Sequence, residues 1–271
     1  MSKDQVRDLI EISHFAARHP EWVQGGGGNC SVKFNGEMLI KASGYVLEDV
    51  AESDGYVHLN LATNTPAAET ALRPSMESPL HTFLSTFVIH THPIEVGGLV
   101  CAQEGHQIFE DTFSDPRYVW IDYATPGQKL FEQVERTLKA KGHQREQDTV
   151  LFLQNHGLFV AAKNKEKCMQ LHQETIQRCG QLFSPLNNGK TEMIENQFLT
   201  PDHVVYLSLK DKELSPKQRQ AIQELKAFSI EVLRRIRAKG WQPHFLSDAE
   251  AGDVLGMPEE KYRQSLWDKS S

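Results

Sequence analysis

Cysteine is scarce in this chain of 271 residues, and the four present (Cys30, Cys101, Cys168 and Cys179) are scattered without a CxxC pair. In a chain read as cytoplasmic they are expected to be free, mostly buried thiols. Long apolar runs are also missing: stretches such as 86–90 and 150–153 are interrupted by charge or histidine well short of a bilayer span. The N-terminus, Met-Ser-Lys-Asp-Gln-Val-Arg-Asp, is acidic and amphipathic, without the basic start, apolar stretch and small-residue cleavage site of a signal peptide. The expectation from these features is a chain without a transmembrane span, located in the cytoplasm. Positive charge is in deficit: 29 Lys and Arg against 36 Asp and Glu give a net charge of −7, so no global field draws the protein to nucleic acid or to an anionic membrane. Any anionic ligand must be held by local chemistry. With 39% hydrophobic and 24% charged residues the chain is globular rather than disordered, and it carries no internal repeat or low-complexity tract.

Histidine, by contrast, is abundant at twelve residues, and the question is which of them are grouped by spacing. Val6, Leu9, Ile10, Ser13 and Phe15 follow a helical period that His19-Pro20 closes. Gly25-Gly26-Gly27-Gly28 makes a loop whose backbone can pass close to a neighbour. The stretch 29–50 reads as a hairpin turning at Asn35-Gly36, followed by a second turn at Ser43-Gly44. Ser75 or Ser78 is the expected cap of a helix reaching residue 85, with Pro79 in its first turn. Strands are expected at 86–92, 115–123, 150–153 and 158–162, and helices at 126–141 and 163–183. Turn formers then cluster at 184–189, and the remainder is mainly helical: Ser215-Pro216 opens a long helix, and Ser247 with Glu250 forms a capping box for a shorter one. The pattern is an α/β sheet with surrounding helices over 1–183, and over 184–271 a helical appendage packed on it.

His90 and His92 alternate along an apolar strand that Pro93 ends, so both side chains share one face, close enough to chelate a single ion. Such a pair also serves simply as polar residues at a strand end, and a third ligand would decide between the two. His156, between Asn155 and Gly157 at a tight strand connection, is the candidate, with Glu77 as a fourth. Three imidazoles and a displaceable carboxylate suit catalytic Zn²⁺ or another borderline divalent ion.

In order along residues 5 to 183, these motifs resemble the class II aldolase and adducin family, typified by fuculose-phosphate and rhamnulose-phosphate aldolases. The resemblance is carried by Gly28-Asn29-Cys30-Ser31, Ser43-Gly44, Ser75-Met76-Glu77 with His81, His90-Thr91-His92-Pro93, Tyr123-Ala124-Thr125-Pro126-Gly127 and Asn155-His156-Gly157-Leu158. The glycine-rich entry and Lys41-Ala42-Ser43-Gly44 look most like the aldolase portion of bifunctional proteins that carry a short-chain dehydrogenase after it, a segment not expected in this sequence.

What the resemblance implies is a three-layer α/β/α fold on a mainly antiparallel sheet, assembled as a homotetramer with sites between subunits. It implies His90, His92 and His156 as zinc ligands, with Glu77 on the metal in the empty site and acting as base once substrate displaces it. The reaction would be retro-aldol cleavage of a sugar phosphate or similar ketose, the ion polarising the carbonyl and stabilising the enediolate left when the carbon–carbon bond breaks. Asn29, Ser43, Gly44 and Ser75 fall where relatives hold the substrate phosphate. Tyr123 falls where they place a proton-donating tyrosine that reaches a neighbouring subunit's site, although an aromatic before Ala-Thr-Pro-Gly also reads as a core residue at a turn. Lys33 and Lys41 either add charge at the phosphate or face water. His81 either orients Glu77 or joins the remaining histidines as a surface or satisfied polar residue. One departure stands out: Met76 replaces the second serine of the familiar aldolases, so the phosphate hangs on backbone, Ser75 and a lysine, or the substrate is not the usual phosphorylated ketose. A pentulose-phosphate 4-epimerase, a dehydratase, a decarboxylase and a non-catalytic adducin-like binding module are the rival readings. Epimerases of the family usually show Asp at the position of Glu77.

Overall fold

The computed structural model describes residues 3–186, 191–193, 197–209 and 214–259. Its centre is one eight-stranded sheet. The strands in chain order are β1 (Asn29–Phe34), β2 (Glu37–Lys41), β3 (Tyr56–Asn60), β4 (Thr65–Pro66), β5 (Phe87–Thr91), β6 (Tyr118–Ile121), β7 (Thr149–Leu153) and β8 (Gly157–Ala162). In space they run β4-β3-β2-β1-β5-β8-β7-β6, and every pairing is antiparallel except β6 with β7. The β1–β2 hairpin closes at Asn35 and Gly36, both with positive φ (44° and 79°), the backbone a two-residue turn of this type needs.

Alternation along the strands sorts the core into two faces. On one side Ile89, Val150, Phe152, Leu158 and Val160 meet helices α1 (Lys3–Ala17), α3 (Ile94–Val100), α4 (Gly105–Thr112), α6 (Lys165–Leu182) and α8 (Pro216–Ala238). On the other, Val88, Leu151, Leu153, Phe159 and Ala161 meet α2 (Ser78–Phe83) and α5 (Gln128–Ala140). The architecture is therefore α/β/α, as the sequence motifs imply. Each large apolar side chain buried this way contributes on the order of 1.5–3 kcal/mol, and Leu9, Ile12, Phe152, Phe159 and Phe228 are essentially fully buried.

Helices α7 (Pro201–Leu207) and α9 (Asp248–Gly256) close the described part, packing with α8 around Val204, Tyr206, Leu225 and Val254. Ser215 and Ser247 each complete a capping box, with Gln218 and Glu250 respectively. Of the expected turn region at 184–189, residues 187–189 lie outside the described residues, as does the chain after residue 259.

Four expectations need correction. Neither Ser75 nor Ser78 caps α2: the cap position is Glu77, which makes no side-chain cap, while the Ser75 hydroxyl accepts the Glu77 backbone N–H at 3.3 Å. Lys33 and Lys41 do not face water. Lys33 donates to the Ser85 carbonyl at 2.6 Å, and burial pushes its ammonium well below the usual lysine range. Lys41 donates to the Tyr45 carbonyl at 2.5 Å. Several elements come out shorter than expected, notably β6, which occupies only four residues of the stretch 115–123. Finally, β3, β4, α3, α4 and α7 had no counterpart in the element-by-element reading. All four cysteines are free and buried, and burial pushes the Cys30 thiol up to about 12, which disarms it as a nucleophile.

Candidate metal and active site

Strand β5 delivers His90 to the face shared with Phe159, against whose ring it stacks at 4.0 Å, and His92 follows just past the strand end. Thr91 points to the opposite face and hydrogen-bonds His172 there at 2.7 Å. The β7–β8 connection brings His156 to the same place. Its shape depends on Asn155, which sits at φ 53° and sends its amide to the carbonyls of Leu199 and His244 at 2.9 and 2.7 Å. His90, His92 and His156 are all buried, and one ring nitrogen from each lies within 4.8 Å of the others. Glu77, at the start of α2, faces all of this: its Oε2 is 3.2 Å from His90 Nε2, and its Oε1 is 3.5 Å from His156 Nε2.

The protonation pattern of these rings follows from their outer partners. His90 Nδ1 is 3.0 Å from the Leu158 carbonyl, which can only accept, so Nδ1 carries the proton and Nε2 presents its lone pair. His92 Nδ1 stands 3.1 Å from Asp202 Oδ2, at ion-pair distance but not aligned as a hydrogen bond, and the carboxylate favours a proton on that nitrogen. The two Nε2 atoms consequently point at each other across 3.0 Å. Two facing lone pairs repel unless a cation lies between them, and the buried Glu77 Oε1 accepts no hydrogen bond. This donor set suits a divalent ion: three imidazoles, a carboxylate, and outer partners beside the rings. Burial pushes His90 well below the ordinary histidine range, with repulsion from His92 adding to it, and takes His156 down to about 3 against the opposing pull of Glu77. Both rings are therefore neutral near pH 7.

Glu77 is aligned by a chain of hydrogen bonds. The Ser31 hydroxyl donates to His81 Nδ1 at 2.7 Å, His81 Nε2–H donates to Asn29 Oδ1 at 2.5 Å, and the Asn29 amide donates to Glu77 Oε2 at 2.8 Å. His81 thus acts on Glu77 through Asn29, not directly. This arrangement keeps Asn29 a donor and the carboxylate an acceptor.

The cluster opens into a small cleft. Asn29, Ser43, Gly44, Ser75, Glu77, His92 and His156 line it, together with Met76, Lys41 and the loop of Gly26, Gly27 and Gly28. His90 lies behind this surface, fully buried. Tyr123 does not reach the cleft within the chain; it packs with α7 and α9, and burial raises its phenol, with Glu250 and Asp253 adding to the effect. The cleft also has a wall that the motifs did not indicate: Pro201, Asp202 and Met257. The signal for α7 was nonetheless present, since Thr200-Pro201-Asp202 has the polar cap position, first-turn proline and early acid of a helix start.

Similarity to known proteins follows the same outline. Residues 7–182 match the family described as Class II Aldolase and Adducin N-terminal domain. The chain is 28% identical over 172 residues to the uncharacterized oxidoreductase YuxG of Bacillus subtilis (strain 168), a match covering 60% of this chain and 23% of that protein. It therefore spans under a quarter of that relative's length. Among solved structures, the N-terminal class II aldolase domain of a conserved protein from Thermoplasma acidophilum superposes with a TM-score of 0.56 at 20% identity, covering 65% of this chain and 92% of that one. An L-fuculose 1-phosphate aldolase superposes with a TM-score of 0.51 at 20% identity, covering 83% and 98%. These two likenesses show a shared fold. Among the described residues no helix is long and apolar enough to cross a membrane. With a family match running through most of the sheet and both helical layers, the chain belongs to the class II aldolase and adducin family.

Proposed function

We propose that this protein is a divalent-metal-dependent aldehyde-lyase, with Zn²⁺ the best-suited ion, that reversibly cleaves a ketose phosphate or close analogue into a three-carbon ketone phosphate and an aldehyde. The observation that carries the reading is the convergence of three buried imidazoles, two of them in contact with a carboxylate, beside an open cleft. His90, His92 and His156 would hold the ion with Glu77. When bound, the ion would polarise the substrate carbonyl and offset the negative charge that develops as the carbon–carbon bond breaks. Glu77, held as an acceptor by Asn29, would move a proton at the chelated carbons, giving it to the enediolate carbon in the cleavage direction and removing it in the reverse direction, while the proton of the substrate hydroxyl passes to the proton-donating group.

Also lining the cleft, Asn29, Ser43, Gly44 and Ser75 offer small donors to a phosphate. The buried Lys41 supplies charge where Met76 offers no hydroxyl, which favours a phosphorylated substrate despite that replacement. Tyr123, held among the C-terminal helices, is proposed as a proton donor to the site of another copy in a cytoplasmic homotetramer, with residues 184–271 forming an appendage to the 1–183 domain.

Incubation of the metal-loaded protein with a panel of ketose phosphates and their unphosphorylated forms tests this. Release of free aldehyde with a ketone phosphate is the expected result. Epimerised substrate without release, loss of water, or loss of carbon dioxide would instead identify one of the rival superfamily chemistries. A protein that takes up no divalent ion after saturation would be a binding module.

A further inference from the structure

The motifs that define the metal-facing residues all precede residue 160, yet one group touching them comes from helix α7. Asp202 Oδ2 lies 3.1 Å from His92 Nδ1, and both side chains are largely withdrawn from solvent, at 13% and 8% exposure. We propose that Asp202 is a positioning residue: its carboxylate, at ion-pair distance from His92 Nδ1, holds that ring with Nε2 toward His90 and so raises the affinity of the site for a divalent cation. This inference rests on the metal-site reading above. The physical basis is that a ligating imidazole whose second nitrogen donates to a carboxylate is held in one tautomer and orientation and is a stronger base at the ligating nitrogen.

The four-glycine loop supplies an independent reason to regard the contact as built. A Cβ placed on Gly27 would lie 3.0 Å from Asp202 Oδ2 and 3.0 Å from His92 Nδ1, so any side chain there intrudes on the pair from beside it. The rest of the loop is tied to the same helical wall. The Gly25 N–H donates to Glu224 Oε2 at 2.7 Å, and the Gly26 N–H donates to the Tyr206 hydroxyl at 3.3 Å. A glycine run that no strand or helix requires is thus explained by the closeness with which it must pass between the HxH pair and α7. The C-terminal helices, on this view, complete the outer shell of the metal site within a single chain.

The test is metal affinity of the full-length protein, not turnover. Metal-free wild type, Asp202→Asn, Asp202→Glu and Gly27→Ala are titrated with Zn²⁺ against a chromophoric chelator, with Co²⁺ absorption recorded in parallel and the melting temperature of each metal-free form measured. Asp202→Asn is expected to weaken Zn²⁺ binding by about 10- to 100-fold and to alter the Co²⁺ spectrum, without lowering the metal-free melting temperature. Asp202→Glu should recover part of the affinity, and Gly27→Ala should weaken it in the same direction through the displaced pair. If Asp202→Asn or Gly27→Ala binds Zn²⁺ as tightly as wild type, or if affinity falls only in step with lost stability, Asp202 does not position His92. Failure of the wild type itself to bind Zn²⁺ or Co²⁺ would overturn the metal site, a result distinct from equal binding by wild type and variant.

Discussion

The cleft has two unlike walls. The sheet wall, from β1, β5, the β7–β8 turn and the start of α2, presents every atom suited to ligation or proton transfer: three imidazole Nε2 atoms and both oxygens of Glu77. The helical wall, from α7, α8 and the end of α9, contributes Pro201, Asp202 and Met257 to the lining and holds the glycine loop through Glu224 of α8 and Tyr206 of α7. The difference is one of division of labour. The proposed chemistry belongs to residues at strand ends and tight connections, where the sheet's register fixes direction. The helical wall closes around it and is coupled to it through a few polar contacts, Asp202 with His92 and Asn155 with the carbonyls of Leu199 and His244.

The largest effect that would break this contrast lies on the sheet wall. His90→Ala is expected to abolish stoichiometric metal binding, because it removes the fully buried central ligand. Glu77→Gln should keep the ion on three histidines while turnover falls by about 10²- to 10⁴-fold, the range for loss of a positioned general base. Metal analysis and rate measurement on the same preparations check both. Wild-type turnover by metal-loaded Glu77→Gln would mean that the base lies elsewhere, and the helical wall would then have to supply it.

A smaller effect is expected where the two walls join. Asn155 makes two donor bonds to the helical side and meets His244 Nδ1 through its own Oδ1 at 2.7 Å. Asn155→Ala strands these buried partners and places a Cβ-bearing residue with no polar side chain at φ 53°. The expected cost is about 3 kcal/mol in urea unfolding. Asn155→Gly should cost less because only the hydrogen bonds are lost. Equal stability of Asn155→Ala and wild type would show that the two walls are not coupled through this residue.

How much of this was legible in the sequence follows the same division. The HxH pair could be read because strand alternation dictates which residues share a face, and β5 obeys it: His90 and His92 on one side, Thr91 with His172 on the other. Strand β3 carries a readable alternation too, with Val57 and Leu59 inward and His58 and Asn60 outward. Helix α3 was masked for a tertiary reason. Its Gly97 and Gly98 carry a helix-propensity penalty, but α8 packs so closely that a Cβ on Gly97 would lie 2.7 Å from Val232 Cγ2. Local preference was outweighed by a contact 135 residues away in the chain. The burial of Lys33 and Lys41 was hidden similarly, since their carbonyl partners Ser85 and Tyr45 come from loops whose path only the assembled fold sets. Asp202 belongs to this second class: its helix start was visible, its contact with His92 was not.

The least dramatic expectation concerns histidines outside the cleft and separates burial from ligation as causes of perturbed basicity. His172 is fully buried against Thr91, and burial takes it down to about 3, with repulsion from His19 adding to it; His203 is taken down to about 4 by burial, against the opposing pull of Asp202. Neither contributes a ring nitrogen to the three-histidine cluster. A histidine in the unfolded chain titrates near 6.5, about three units above His172 in the folded one. As pH falls below about 6.5 the unfolded state therefore takes up a proton that folded His172 refuses, and stability declines with falling pH until the folded value near 3 is reached. The limiting slope for one such group is about 1.4 kcal/mol per pH unit, or about 2 kcal/mol lost between pH 6.5 and pH 5. His172→Gln retains a hydrogen-bonding partner for Thr91 and removes the titration, so urea unfolding of the metal-free protein at pH 7, 6 and 5 should show a shallower acid decline in the variant by that amount, whatever offset the substitution adds at pH 7. An unchanged slope would mean that His172 is protonated while folded, and the acid sensitivity would then belong to other buried histidines such as His203 and those of the cleft.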